Sequence, residues 1–409
     1  MKKNLKLVHL ANFNSVNVGN GALVTGLENL IDEDFDRDIQ WVREAWDDYT
    51  FGFKFFDEKF VEFINQHDGL IINGAVAIHG REYLKETGMR FELPLQLVKE
   101  VKKPVVFYGI SYRHFQGQIF YHAETLRKTF RDLSGLDNVF LGVRNDGTKT
   151  WLEKTLRLDQ STLRNIYEIP DTGVFTKARS DEYPEILNDR KVIIFAPNDE
   201  DRIWRYGNDN VHHVRENGYE LIDDIGRIQK DNTWKENRYK LINAIKSSLT
   251  RLIKETGSQL LMVPHYIHDL SFITDLVDML SPNLAHQCSI STGLTRVQGT
   301  ERFYGRYLRA DLAVSMRVHS MSPCIGLGVP MIPIITQPRM WDFLEATGLD
   351  DLGIDAFGND LEEHLYESAI DILKDPEERI VKFDKASSEM RENVRQINQK
   401  IEKIFSQMN

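Results

Sequence analysis

The chain has 409 residues, 41% of them apolar and 28% charged, and its 51 basic and 62 acidic side chains leave a net charge of −11. That length exceeds what one hydrophobic core usually serves, so two domains are expected, each burying its own core. The acidic balance excludes a general nucleic-acid binder, whose affinity comes from neutralising phosphates, while leaving room for a local basic pocket.

The opening "MKKNLKLVHLANFN" has its apolar stretch broken at Lys6, His9 and Asn12, so it reads as a first strand and not as a signal peptide. No run approaches the ~18 to 20 apolar residues of a bilayer span, so no transmembrane segment is expected. The first half then alternates. "LKLVHLA", "DIQWVREA", "DGLIING", "PVVFYGI", "NVFLGVR" and "NIYEIPD" read as strands, with "ALVTGLENLID", "FDEKFVEFINQ", "LPLQLVKEV", "AETLRKTFRDL" and "TKTWLEKTL" as helices between them. Polar residues 176–190 read as a linker.

A second series follows: strands "KVIIFAPND", "SQLLMVPH", "HQCSIST", "ADLAVSM" and "VPMIPIIT", with helices at "RYKLINAIKSSLTRLIKE" and "LSFITDLVDML". The pattern predicts an N-terminal Rossmann-like domain over 1–178 and a C-terminal one over 190–375, with parallel sheets facing a cleft. A polar excursion at about 199–234, carrying Trp204, Tyr206, Tyr219 and Trp234, interrupts the second domain, and a long charged helix closes the chain over 376–409. The two cysteines, Cys288 and Cys324, form neither a disulfide framework nor a zinc-ligand spacing, which suits a reducing cytoplasm.

Ligands of open α/β sheets bind beyond the carboxyl ends of strands, so the residues there are the candidates. After the first strand, Gly19, Asn20 and Gly21 allow a tight turn and a helix start that favours an anion, although the GxGxxG spacing is absent and a plain βα loop is the alternative. Asn73 and Gly74 end the third strand, Gly109 and Arg113 the fourth. Arg144 follows the fifth as a helix-cap partner or an anion clamp, with Asp146 placed to cap the next helix. "VPHYIHD" supplies His265 and His268 as cleft-lining histidines and Asp269 as a helix cap, in preference to a metal site.

"SMRVHSM" puts Arg317 and His319 on one face of an extended segment, and Arg339 lies at the end of the next strand. Two guanidiniums and an imidazole converging there would form a pocket for a small, multiply charged anion with acid–base chemistry available. Ser320, adjoining His319, joins them as a substrate contact. The plain alternative is a surface histidine with unrelated arginines.

These stretches resemble the polysaccharide pyruvyl transferase family from about Asn12 to Leu349: "NVGNGAL", "DGLIINGA", "KPVVFYGI", "FLGVRNDGT", "IPDTGVF", "LLMVPHYIHD" and, most specifically, "ADLAVSMRVHSMSPCIGLGVPMIPI". The resemblance implies a GT-B-like pair of domains and transfer of pyruvate from phosphoenolpyruvate to a pair of sugar hydroxyls, with a ketal formed and phosphate released. The carbohydrate acceptor can be lipid-linked, which would make a cytoplasmic enzyme peripheral to the membrane through its substrate; phosphoenolpyruvate is a co-substrate, and no cofactor or metal is implied. Arg317 and His319 fall on the family's Arg-x-His motif that contacts phosphoenolpyruvate, Arg339 on a basic position serving the same donor, and Arg144 on the basic residue after the fifth strand. His319 is the expected proton-exchanging group. The chain departs from the family at Asn73-Gly74-Ala75, where a Gly-rich turn is common, and at Asp171-Thr172-Gly173, where Asp-Pro-Ala is common. Two rival readings are a nucleotide-sugar glycosyltransferase on the same architecture and a non-catalytic glycan-binding member.

Overall fold

The computed structural model describes residues 4–74, 76–79, 86–90, 93–118, 120–207, 215, 217–221, 233–291 and 293–408. Two sheets organise the chain, and every strand pair in both is parallel. The first contains β1 (Leu5–Ala11), β2 (Ile39–Ala45), β3 (Gly69–Asn73), β4 (Val76–His79), β5 (Val105–Arg113), β6 (Val139–Arg144) and β7 (Ile166–Ile169). Its order is β2-β1-β3-β5-β6-β7, with β4 extending the pairing of β5. The second contains β8 (Val192–Ala196), β9 (Gln259–Met262), β10 (Cys288–Ile290), β11 (Leu312–Ser315), β12 (Met331–Ile335) and β13 (Ile354–Asp355), in the order β10-β9-β8-β11-β12-β13. Strands buried on both faces need near-continuous apolar runs, and "LIIN", "VIIFA", "LAVS" and "MIPII" are buried at every position.

In each sheet the order reverses at one place, between β1 and β3 in the first and between β8 and β11 in the second. The crevice outside such a reversal is where doubly wound sheets hold ligands. Asn12, Asn73, Asn198 and Arg317 all lie just beyond, or at the end of, the strands concerned.

The terminal helix Glu377–Met408 ties the halves together. Its Phe383, Ala386 and Met390 pack into the core of the second sheet, and Ile397, Ile401 and Phe405 pack under the first. Each such large apolar side chain contributes about 1.5–3 kcal/mol when fully buried. Asn398 adds specificity to the crossing: it accepts from the Tyr108 hydroxyl at 2.9 Å and donates to Asp34 at 2.7 Å. The helix α1 (Val18–Asp34) also belongs to both halves, since its Val18 and Ala22 join the second core while Leu27 and Ile31 join the first.

The expected strands are present, and β4, β13 and the helix Leu361–Lys374 are additions that the sequence reading did not name. β13 pairs through only Ile354 and Asp355, too short for a periodic signal. Part of the polar excursion (208–214, 216 and 222–232) lies outside the described residues, as does Ala75 of "DGLIINGA". Tyr206 and Tyr219 of that excursion are structural: Tyr206 is buried with its hydroxyl on the Asn198 carbonyl, and Tyr219 stacks on His114.

Candidate active site

A cavity of about 1080 Å³ opens between the carboxyl ends of the two sheets. The first half contributes Asn12, Asn20, His79 and Arg113 to its lining, and the second half Glu200, Arg317, His319 and Arg339. The Arg317, His319 and Arg339 positions therefore do meet at one hollow. The way they meet differs from the extended-strand expectation.

β11 stops at Ser315, whose hydroxyl oxygen accepts from the Arg317 backbone N–H at 3.3 Å. Arg317 is the N-cap residue of the helix Val318–Leu327, so His319 sits in a first helical turn. The two side chains consequently diverge. Arg317 donates from Nε to Asp269 Oδ2 and the Pro197 carbonyl, both at 3.1 Å, from Nη1 to Glu200 at 2.8 Å and from Nη2 to Asp269 Oδ1. His319 turns instead towards the first half. Pro323 within the same helix has no N–H to offer the carbonyl four residues back, and the Tyr304 hydroxyl takes that His319 carbonyl at 2.6 Å. The helix therefore loses one internal bond while the backbone bearing the imidazole is pinned.

Around the ring, Arg144 Nη1 lies 3.0 Å and Asp171 Oδ2 3.4 Å from Nε2. A guanidinium only donates, so in the neutral ring Nε2 accepts from Arg144 and the proton resides on Nδ1. When the ring is protonated, Nε2–H has Asp171 to turn to. Burial lowers the His319 pKa, with Arg144 and Arg339 acting in the same direction and Asp171 opposing them. Burial pushes Asp171 up, but Arg144 and His319 overcome it and hold the carboxyl at about 2. Asp171 is thus charged at neutral pH, and its Oδ2 has no hydrogen-bond partner among the described residues.

Arg144 is 1% exposed and stands behind the imidazole, with its fork taken up by His319, the Gly74 carbonyl and Asp171 at 3.5 Å. It positions the imidazole and does not present its fork to the open cleft. Gly19 and Gly21 lie inside α1 and form no turn; the N-cap is Asn17, whose side chain accepts from the Gly19 N–H. A Cβ on Gly19 would stand 2.7 Å from both Cβ and Nδ1 of His319, so glycine there admits the imidazole. Asn20 does face the cavity, donating to the Ser15 hydroxyl at 2.9 Å. Asn73 is buried and donates to the Tyr108 carbonyl at 3.4 Å, while Gly74 adopts φ +54° and offers its carbonyl to Arg144.

Four further positions are fixed by burial and hydrogen bonding. Ser320 is fully buried with its hydroxyl on Ser315 and the Arg317 carbonyl, turned away from the cleft. His265 borders the cavity but is itself fully buried, its Nε2 2.6 Å from the Tyr307 hydroxyl, and burial drives its pKa well down. Asp269 is not an N-cap: it begins its helix, accepts from the His265 and Tyr266 N–H groups at 2.9 Å and anchors Arg317. Asp146 likewise accepts from the Ser111 and Thr148 hydroxyls at 2.6 Å, leaving the N-cap to Gly147.

Arg339 completes the wall. Its Nη1 donates to the Tyr112 carbonyl of the first half at 3.0 Å, and its Nε has no hydrogen-bond partner among the described residues. Among the described residues it forms no ion pair, and burial lowers its pKa, with the more distant Asp146 opposing and Arg144 and Arg113 adding to the effect. The sequence reading missed Asp171 and Glu200. Glu200 links Arg317 to Arg113 of the first half, at 2.8 and 3.6 Å. The available signal was a carboxylate directly after an apolar strand, in "EIPD" and "FAPNDE". Among the described residues no group of three or more His, Cys, Asp or Glu side chains is placed to hold a metal ion.

A family model for polysaccharide pyruvyl transferase matches residues 17–338, and the chain belongs to that family. No curated protein matches it. Similar solved structures include a glycosyltransferase from Rickettsia africae ESF-5, with 10% identity, 99% of each chain covered and a TM-score of 0.50. The N-terminal domain of trehalose-6-phosphate phosphatase from Candida albicans has 12% identity, full coverage of both chains and a TM-score of 0.50. ADP-heptose lps heptosyltransferase II from E. coli has 10% identity over 91% of this chain and 100% of its own, with a TM-score of 0.46. At these identities the likeness concerns the fold alone, a GT-B pair of parallel-sheet domains. No helix among the described residues is long and apolar enough to cross a membrane.

Proposed function

We propose that this member of the family transfers a pyruvyl group from phosphoenolpyruvate to two hydroxyls of a sugar in a polysaccharide or glycan precursor, forming a ketal and releasing phosphate. One observation carries the reading: Arg339, a cation without a carboxylate partner among the described residues, shares a cavity wall with the partly exposed imidazole of His319. An arginine fork suits a carboxylate or a phosphate, and the N-terminus of the helix Val318–Leu327 adds a favourable field for either. Arg317, tied to Asp269 and Glu200, serves as a fixed, charge-compensated wall of the same pocket.

In this scheme the bound anion offsets the burial and the neighbouring cations that keep His319 neutral, so the ring gains its proton with the substrate. Protonated His319 delivers that proton to the methylene carbon. A sugar hydroxyl oxygen bonds to the adjacent carbon as cationic character develops there, and its proton returns to the imidazole. The carbon–oxygen bond to phosphate then breaks, the leaving charge resting against Arg339, and the second hydroxyl closes the ketal with its proton passing to phosphate. No cofactor is required by these steps.

The test is mass spectrometry of candidate glycans after incubation with phosphoenolpyruvate, with phosphate release followed in parallel. A pyruvyl adduct with stoichiometric phosphate is the expected result. Calorimetric binding of a nucleoside diphosphate, with none of phosphoenolpyruvate, would transfer the site to a glycosyltransferase reading.

A further inference from the structure

Three large apolar side chains are more exposed than any others among the described residues, and they fall within five positions: Phe51 at 62%, Phe53 at 79% and Phe55 at 72%. They sit beyond the carboxyl end of β2, and Phe51 and Phe53 border the interdomain cavity. Exposed Val16 borders it from the first βα turn, and exposed Ile203 from the short helix Arg202–Tyr206 of the other half. Exposed Ile267 stands between Tyr266 and His268, which also border it. Four of the fourteen exposed large apolar side chains among the described residues thus border one opening, on both of its lips, and Phe55 and Ile267 lie within two residues of bordering ones. Scattered exposed apolar residues need no explanation, but a cluster of this kind marks an interaction site.

The loop is anchored and not loose. Directly beside the outward phenylalanines, Tyr49 stacks on Phe56 at 4.3 Å and both pack edge-on against Phe60 in the first core. Gly52 takes φ +76°, a turn that separates Phe51 from Phe53. Lys54, between Phe53 and Phe55, is held by Glu44 at 2.7 Å.

The occupant follows from the composition and place of this rim. Sugar stacking uses aromatic faces beside polar partners, whereas Val16, Ile203 and Ile267 have no face to offer. A protein seated on both lips would close the opening through which an acceptor enters. A hydrocarbon boundary accepts aromatic and aliphatic side chains alike, and Arg202 and Arg296 border the same opening where lipid phosphates would lie. We propose that the rim formed by Phe51, Phe53, Phe55, Val16, Ile203 and Ile267 docks on a lipid bilayer, setting the cleft against the leaflet that anchors a lipid-linked acceptor. The acceptor part rests on the pyruvyl-transfer reading, while the docking part does not. With a net charge of −11 the chain is driven to the surface by apolar insertion and not by net charge.

Flotation with phosphatidylcholine vesicles, alone and mixed with phosphatidylglycerol, tests this at low and high salt. The expected result is flotation with both vesicle types that persists at high salt. Phe53→Ser with Phe55→Ser should weaken partitioning at least roughly tenfold, and Ile203→Ser on the opposite lip by a smaller factor. Both variants should bind phosphoenolpyruvate in calorimetry as the unmodified chain does. Failure of the unmodified chain to float, or equal flotation of the variants, overturns the docking. Loss of soluble oligosaccharide binding by variants that still float would make the loop a sugar platform and equally overturn it. Flotation without phosphoenolpyruvate binding would leave docking intact and remove the pyruvyl-transfer reading instead.

Discussion

Arg317 and Arg339 follow neighbouring strands of the second sheet and both reach the cleft, yet their surroundings are opposite. Arg317 is enclosed by Asp269 and Glu200; burial alone would lower its pKa, but the two carboxylates overcome it and raise it. Arg339 has a carbonyl and no ion pair among the described residues, and burial lowers its pKa. The cluster around Arg317 is internally compensated and holds the wall together. Around Arg339 and His319, hydrogen-bonding and charge capacity is left over, which is the physical signature of a place that expects an anion. Residue type alone would have ranked the two arginines equally.

The comparison breaks most sharply at His319. His319→Ala should cut phosphate release from phosphoenolpyruvate plus acceptor by on the order of 10³-fold, with the urea midpoint unchanged; retained turnover would take the imidazole out of the reaction. Next come the arginines themselves. Arg339→Met should weaken phosphoenolpyruvate binding by roughly a hundredfold in calorimetry with little change in stability. Arg317→Met should instead destabilise the fold by about 3–5 kcal/mol in urea, because Asp269 is left buried without its cation. Equal phenotypes for the pair would erase the distinction.

Asp171→Asn sharpens it on the His319 side. The carboxylate raises the imidazole pKa, so without it burial lowers that pKa further. Activity that needs protonated His319 falls as pH rises through its pKa, so the basic limb of kcat/KM should move to lower pH. An unmoved limb would reduce Asp171 to a structural group. The smallest effect is expected from Gly19→Ala, which displaces the imidazole without altering it. Turnover should fall roughly tenfold, with phosphoenolpyruvate affinity retained.

Much of this was legible in the chain because apolar runs buried on both faces announce parallel strands, and polar residues directly after them announce a cleft. His319 and Arg339 were placed at the cleft that way. Ser320 turns inward: position along a strand–helix junction gives a residue's place but not its direction. In "SMRVHSM" the helix starts at Val318, inside the stretch that an extended reading keeps straight, and that sends Arg317 and His319 to different partners. Gly19 and Gly21 were legible as glycines with a purpose, but the purpose is the approach of side chains from the other half, His319 and Thr300.

Local pattern and composition were enough to determine two parallel α/β halves, the strand ends that face one another, and the cationic residues gathered there, since burial of periodic apolar runs is a property of each segment on its own. Tertiary structure alone decided which cation is neutralised and which has no ion pair among the described residues, because Arg144 and His319 are 175 positions apart and Arg317 and Glu200 are 117. Charge compensation depends on distances of a few ångströms across folded surfaces, and no spacing along the chain encodes those.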